Sequence, residues 1–496
     1  MKKSSLLIAA IIAVGLSLRL FNLANLFYFT HDEETIVWRI MPLLRDRNLF
    51  LLGGVTPFHV HLGPWFYYLS AVMLLISGLN PLGWGIMAAI ISAFTMAMLF
   101  ILTRKLYGLI PGLLATSYYA TSFLMVVFDR HWWPLSLGPL LSLSVIYGLI
   151  NSNPVILGAA IAIGFHTDPS NWALILLTGS VLVMRRQLKI LSITAIFLAV
   201  SFVPLVAFDL KHQGQNILAI NQYFSETKSH QGLSRDKFVW TALYIPRTLG
   251  RLLYSPQTEL TKIYSYCPQY SQRRIESAPL ITTIMAIILL GWFFLSTKSS
   301  AIIKLYFGLV IIGINVYGNF FSSDLFDHYL TTLFPLFFLI LARALNRLPR
   351  RLAIITTILL VVVNLNSFRH ITNRYGYGDK VSAVSWVSQE LNGQPFSLDT
   401  VGSCLRYSGI RYLFTLQGNE PDLSFVDPNF FWLYKSVPKT TYPDKHVVLV
   451  MFDNQEPPAV KQQYLDLLSR VTSRRQFGSI DALIVNNSDE KFSIDF

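Results

Sequence analysis

The chain has 496 residues, 53% of them hydrophobic and only 14% charged, with a formal net charge of +13. A water-soluble protein of this length would carry nearly twice that charged fraction, so the composition excludes a soluble globular enzyme. The basic excess fits cytoplasmic loops and lipid headgroups, and no stripe of Lys and Arg interleaved with aromatics supports nucleic-acid binding.

The opening "MKKSSLLIAAIIAVGLSL" has the basic and apolar regions of a signal peptide. It lacks a small-residue cleavage site before Arg19, and further apolar runs follow, so a retained first helix is expected over 5–24. Right after it comes "FTHDEET" (29–35), with three carboxylates and a histidine beside a membrane segment, where charges are costly. Two short helical stretches follow, "EETIVWRIMPLLRDR" and 63–79, preceded by the histidines of "HVHLGPWFYYL", His59 and His61. Further spans are expected near 83–103, 110–127, 135–150, 154–168, 170–184, 188–208, 278–296, 301–320, 328–345 and 351–367, about eleven in all.

Charge decides the status of 63–79. If it crossed, every later basic loop would change sides; as a helix lying on the outer surface, it leaves all inner loops basic. Those loops are Lys2-Lys3, Arg104-Lys105, Arg185-Arg186 with Lys189, Lys298 with Lys304, and "RALNRLPRR" (343–351), and none contains Asp or Glu. The carboxylates therefore gather on or near the outer face. That face comprises a first loop (25–82), a large loop (209–277) and a C-terminal segment (368–496) long enough for a small domain. In the last, "DKVSAVSWVSQEL" and "AVKQQYLDLLSRV" read as helices, and "HVVLVMF" and "DALIVNN" as strands. The fold class expected is an α-helical polytopic membrane domain (1–367) with outer-surface helices and a small α/β extracytoplasmic domain (368–496).

Four motifs converge on the outer edge: "HDEE", "HVHLGPWFYYL", "FDRHWWP" (128–134) and "FHTDPSNW" (165–172). Each alone has an ordinary explanation. Asp32 and Glu33 would cap the following helix, Asp129 and Arg130 would form an interfacial ion pair, Trp132 and Trp133 would belong to an aromatic belt, and Asp168-Pro169 would start a helix. Together they exceed what capping requires.

On these residues the chain resembles the GT-C integral membrane glycosyltransferases of the protein-O-mannosyltransferase-like and lipid A aminoarabinose transferase-like kind. The resemblance rests on "HDEE", on "HLGPWFYYL", on "TRKLYGLIPGLLATSYYATSFLMVVFDRHWWP" and on "DHYLTTLFPLFFLILARAL", and it is densest in the first 185 residues. Asp32 and Asp129, about a hundred residues apart, match the family's two loop acids. The family's paired prolines are replaced here by "HLGP", which leaves the phosphate ligand open.

The resemblance implies a sugar donor on a polyprenyl phosphate, used away from the cytosol, in a bacterial-type inner membrane with the N-terminus cytoplasmic. Deprotonating an acceptor hydroxyl calls for a carboxylate base, for which Asp32 is expected, with Glu33 orienting it or the sugar. Asp129 is expected to bind sugar hydroxyls or to complete a metal site with Asp32 and a histidine. The leaving phosphate calls for cations, with Arg130, His61, Arg247 and Arg251 available, the last two sharing one helix face. His131, His166 and Asp168 are expected at the substrate. A divalent ion (Mg, Mn or Zn) is left open, since the family contains both metal-dependent and metal-free members. The acceptor is a protein, a lipid or a glycan. Cys267 and Cys404 fall outside, where a disulfide can form. The alternative is a transporter or flippase of a lipid-linked or anionic substrate, for which mid-span charges, broken helices or internal symmetry would be expected.

Overall fold

The computed structural model describes residues 2–56, 60–227, 235–260, 278–297, 300–321, 325–402, 409–427, 443–452 and 458–486. His59, Cys267 and Cys404 lie outside the described residues, and with them the expected disulfide.

The apolar runs form helices because a bilayer core offers the backbone no other hydrogen-bond partner. The first is α1 (Lys2–Leu20), followed by two helices in the first loop, α2 (His31–Asp46) and α3 (Trp65–Ile76). Then come α4 (Leu82–Tyr107), α5 (Leu109–Thr121), α6 (Phe123–Phe128), α7 (Gly138–Asn151), α8 (Pro154–Thr167) and α9 (Trp172–Met184). The expected span 110–127 is thus broken: α5 and α6 meet at an extended Ser122, whose hydroxyl donates to the Leu252 carbonyl at 2.8 Å.

The run 188–208 is also two helices, α10 (Leu188–Ser201) and α11 (Val203–Lys211), bent by 45° where Pro204 opens the second. The remainder of the helical body is α12 (Gln215–Thr227), α13 (Arg235–Leu253), α14 (Leu280–Leu295), α15 (Ala301–Val316), α16 (Phe334–Leu345) and α17 (Arg350–Ser367). Among the described residues five helical stretches are long and apolar enough to cross a membrane, six if the bent pair is one span, with shorter apolar helices beside them. This is a multi-pass membrane protein.

The bundle is polarised. At one end Arg343 lies 4.8 Å from the Tyr107 ring and 5.3 Å from that of Trp292. There too Lys304 donates to the Phe294 and Ser296 carbonyls, and Arg185 to that of Leu149. The acidic motifs sit at the other end.

The C-terminal segment adds α18 (Tyr377–Leu391), α19 (Ile410–Leu416) and α20 (Pro458–Leu468) around a five-stranded sheet. Its strands are β1 (Phe396–Val401), β2 (Leu423–Ser424), β3 (Lys445–Val450), β4 (Val471–Phe477) and β5 (Ile480–Asn486), in the order β2-β1-β3-β5-β4. Strands β2, β1 and β3 run parallel, and β5 lies antiparallel to both its neighbours, β3 and β4. Of these the sequence marks β3 and β5, whose apolar runs are buried almost throughout; β1 interleaves polar residues that are buried as well, and β4 is largely exposed. The sheet's inner face joins the same apolar core as the helices.

Candidate active site

The first turn of α2 is fixed from within. The Glu33 carboxylate reaches back to accept the Thr30 backbone N–H at 3.0 Å and its hydroxyl at 2.5 Å. Asp32 in that turn also suits the positive end of the helix dipole. With the turn fixed, the helical period sends the three acids in different directions. Asp32 faces a cavity of about 610 Å³ together with Thr35, Ile36 and Arg39. Glu33 is fully buried, with one oxygen 3.0 Å from His131 Nδ1. Glu34, also fully buried, accepts the Tyr412 backbone N–H at 2.8 Å.

The other walls come from distant parts of the chain. Gly54–Thr56 and Leu62 flank a short antiparallel bridge between Val55 and His61, and Phe66 and Tyr67 come from α3. His131 and Trp133 follow α6, His166–Pro169 close α8, and Phe326, His328 and Tyr329 precede α16. Trp133 is flanked by two imidazoles: the His131 and His328 rings each lie 4.5 Å from it, both edge-on. Aromatic faces beside carboxylates and imidazoles make a wall suited to a sugar ring, which presents both C–H faces and hydroxyls.

Several expected site residues lie elsewhere. The Asp129 carboxylate is buried against Arg19, 2.6 Å from Nη2 and 3.0 Å from Nε, and accepts the Ser92 hydroxyl at 2.6 Å. Arg130 turns to the C-terminus of α1, donating to the Arg19 and Phe21 carbonyls at 3.1 Å. A guanidinium there satisfies carbonyls that the helix leaves open. Arg130 therefore pairs with backbone carbonyls rather than with Asp129. Arg251 forms a buried ion pair with Asp327, steadying the 3₁₀ turn that carries His328 and Tyr329. Arg247 and His61 do not line the cavity either. His61 is tied to Asn216, whose side-chain oxygen accepts its backbone N–H at 2.7 Å. His166 does line the cavity, and its ring bridges the Gly63 N–H (3.0 Å) and the Ser201 hydroxyl (2.9 Å).

Burial dominates the electrostatics. It pushes the Glu33 carboxyl up to about 8 and the His131 imidazole down to about 3, the latter helped by His328. Near neutral pH the Glu33 carboxyl is therefore largely protonated and the His131 imidazole neutral. Burial also raises Asp168, whose Oδ1 accepts the Ser170 N–H at 2.8 Å. Among the described residues no three His, Cys, Asp or Glu side chains come together as a metal site. Asp32 and Asp129 in particular do not share one.

Arg39, Tyr67, His328 and Tyr329 line the cavity but do not stand out in the sequence. Arg39 carries a usable signal, since seven residues after Asp32 is two helical turns on the same face. Beyond Asp168, Pro169 and Tyr329 the cavity adjoins an apolar groove of about 260 Å³ between α9 and α15, lined by Trp172, Leu176, Leu309 and Ile314 among others.

No protein-family model matches the sequence, and no curated protein matches it. Solved structures do. ArnT from Cupriavidus metallidurans bound to undecaprenyl phosphate superposes at a TM-score of 0.56 with 10% identity, over 96% of this chain and 97% of that one. Its apo state gives 0.56 with 11% identity over 97% of each. The archaeal oligosaccharyltransferase AglB from Archaeoglobus fulgidus, in complex with an inhibitory peptide and a dolichol-phosphate, gives 0.45 with 10% identity, over 90% of this chain and 69% of that one. The likeness to ArnT spans both chains almost end to end and shows a common fold.

Proposed function

We propose that this protein transfers a sugar from a polyprenyl-phosphate donor to an acceptor hydroxyl, with inversion, in a cavity open to the extracytoplasmic side. The observation that carries the proposal is one cavity holding a carboxylate, Asp32, and a cation, Arg39, on the same helix face, adjoining an apolar groove. Sugar, phosphate and polyprenyl chain need those three environments. The solved ArnT structure of the same fold is bound to undecaprenyl phosphate, which supports a lipid of that class here.

Asp32 takes the proton of the acceptor hydroxyl as its oxygen attacks the anomeric carbon. The bond from that carbon to the phosphate oxygen breaks on the opposite face, and the polyprenyl phosphate leaves with the electron pair. Arg39 offsets the charge that develops there, with His131 and His328 as further hydrogen-bond partners. Trp133 and Tyr67 supply stacking surfaces for the sugar. Asp168 borders the passage from cavity to groove, and His166 lines the cavity. Asp129, Arg130 and Arg251 act through the scaffold.

The basic, carboxylate-free loops at the opposite end support a cytoplasmic position for that end, and with it for the N-terminus. The C-terminal domain then lies outside, in a plasma membrane of the bacterial type, with about eleven spans. The bends at Ser122 and between α10 and α11 are features a transporter would share, but the carboxylates gather at one end rather than along a path. The test is to incubate membranes containing the protein with radiolabelled polyprenyl-phosphate sugars and acceptor fractions. Label should move to a protein, lipid or glycan with wild type. No transfer from any such donor would overturn the assignment.

A further inference from the structure

The C-terminal domain grips the turn that carries Asp32. Lys380, on α18, has no exposed surface, and its ammonium donates to the Phe29 carbonyl at 2.5 Å and lies 5.2 Å from the Tyr28 ring. On the same helix the Tyr377 N–H donates to the Phe27 carbonyl at 3.0 Å. From α19, the Tyr412 N–H donates to Glu34 at 2.8 Å, and Arg411 lies 5.8 Å from the Trp38 ring. Gly409, with φ of 78°, lets the α19 N-terminus approach so closely that a Cβ there would stand 2.5 Å from the Phe29 ring.

A fully buried ammonium beside buried carboxyls costs too much to keep for docking alone, because apolar residues of like volume would dock as well. Its position instead fixes the Phe29 carbonyl, three residues from Asp32, while Glu33 is held from the other side by His131. A displacement of about 1 Å at a reacting group is enough to cost ~100-fold in rate.

We propose that Lys380 and the Tyr412 amide are positioning groups of the active site. They clamp Phe29 and Glu34 so that the C-terminal domain, through them, sets where the Asp32 carboxylate sits. This inference rests on the assignment of Asp32 as the base, so its test has one readout independent of sugar transfer. Lys380→Met and, separately, Glu34→Leu would be compared with wild type in nanodiscs, with Lys445→Met on the exposed side of the sheet as control.

Amide hydrogen exchange over residues 30–36 should accelerate about tenfold or more in both variants. The maximal rate of transfer should fall about tenfold or more, with the donor KM within about twofold of wild type. Lys380→Arg should restore part of both. Unchanged protection over 30–36 would overturn the clamp, whatever the protein's activity. Lost protection with an undiminished rate would overturn its positioning role. If wild type itself transfers no sugar, the proposed function fails, while the exchange data still decide the clamp.

Discussion

Asp129→Asn separates a scaffold role from a chemical one. The Arg19 side chain is fully buried and its partner carboxylate only 7% exposed, so water cannot take over the charge if the pair is broken. The amide would keep one hydrogen bond to the guanidinium but leave its charge uncompensated, at a cost of about 3–5 kcal/mol. Arg19 also donates to the Gly15 and Ala120 carbonyls at 2.9 and 3.0 Å, which anchors α1 to α5. Removing both partners in Arg19→Met with Asp129→Asn eliminates the stranded charge and gives up ordinary hydrogen bonds worth about 1 kcal/mol each. The double variant should therefore be more stable than Asp129→Asn alone by about 2 kcal/mol, read as the unfolding midpoint in detergent. It should also retain more transfer activity than the single variant. If Asp129→Asn instead unfolds like wild type yet transfers no sugar, Asp129 takes part in the chemistry and the scaffold assignment is wrong.

Other expectations follow from the same geometry. Arg39→Met should weaken binding of polyprenyl phosphate about ten- to hundredfold, measured by ligand-induced thermal shift from each protein's own unliganded midpoint. Gly63→Ala should destabilise the protein by about 1–3 kcal/mol, because a Cβ there would stand 2.5 Å from the His166 ring. Burial raises Glu33 to about 8 and Glu34 to about 7, so their stabilising contribution is complete below the ordinary carboxylate range and is lost as pH climbs toward those values. The melting midpoint should accordingly fall between pH 5 and pH 7, and a Glu33→Gln, Glu34→Gln variant should flatten that fall. Lys380, lowered by burial to about 7, adds the opposite slope only at higher pH.

Patterns that depend on neighbours along the chain are legible in the amino-acid sequence. Apolar runs mark the helices, loop charges mark the polarity of the bundle, and the four acidic and histidine motifs each contribute to one cavity. Partnership between distant residues is not legible in the same way. Asp129 lies next to Arg130, yet the structure pairs it with Arg19, 110 positions away, because both sit where α1 passes the end of α6. Arg130 and Arg251 read as available cations and prove committed to carbonyls and to Asp327. "HDEE" reads as a local cluster, and only the rotation of α2 assigns Asp32 to the cavity, Glu33 to His131 and Glu34 to the C-terminal domain. His328 and Tyr329 open a helix that reads as one more apolar span, so nothing local marks them as cavity residues.

The most direct test of the central claim compares purified wild type with Asp32→Asn, measuring donor binding and sugar transfer in the same preparation. Loss of the base should cut transfer by about 100-fold or more while the labelled polyprenyl-phosphate sugar still binds within a fewfold of wild type. Transfer at the wild-type rate by Asp32→Asn would contradict the account.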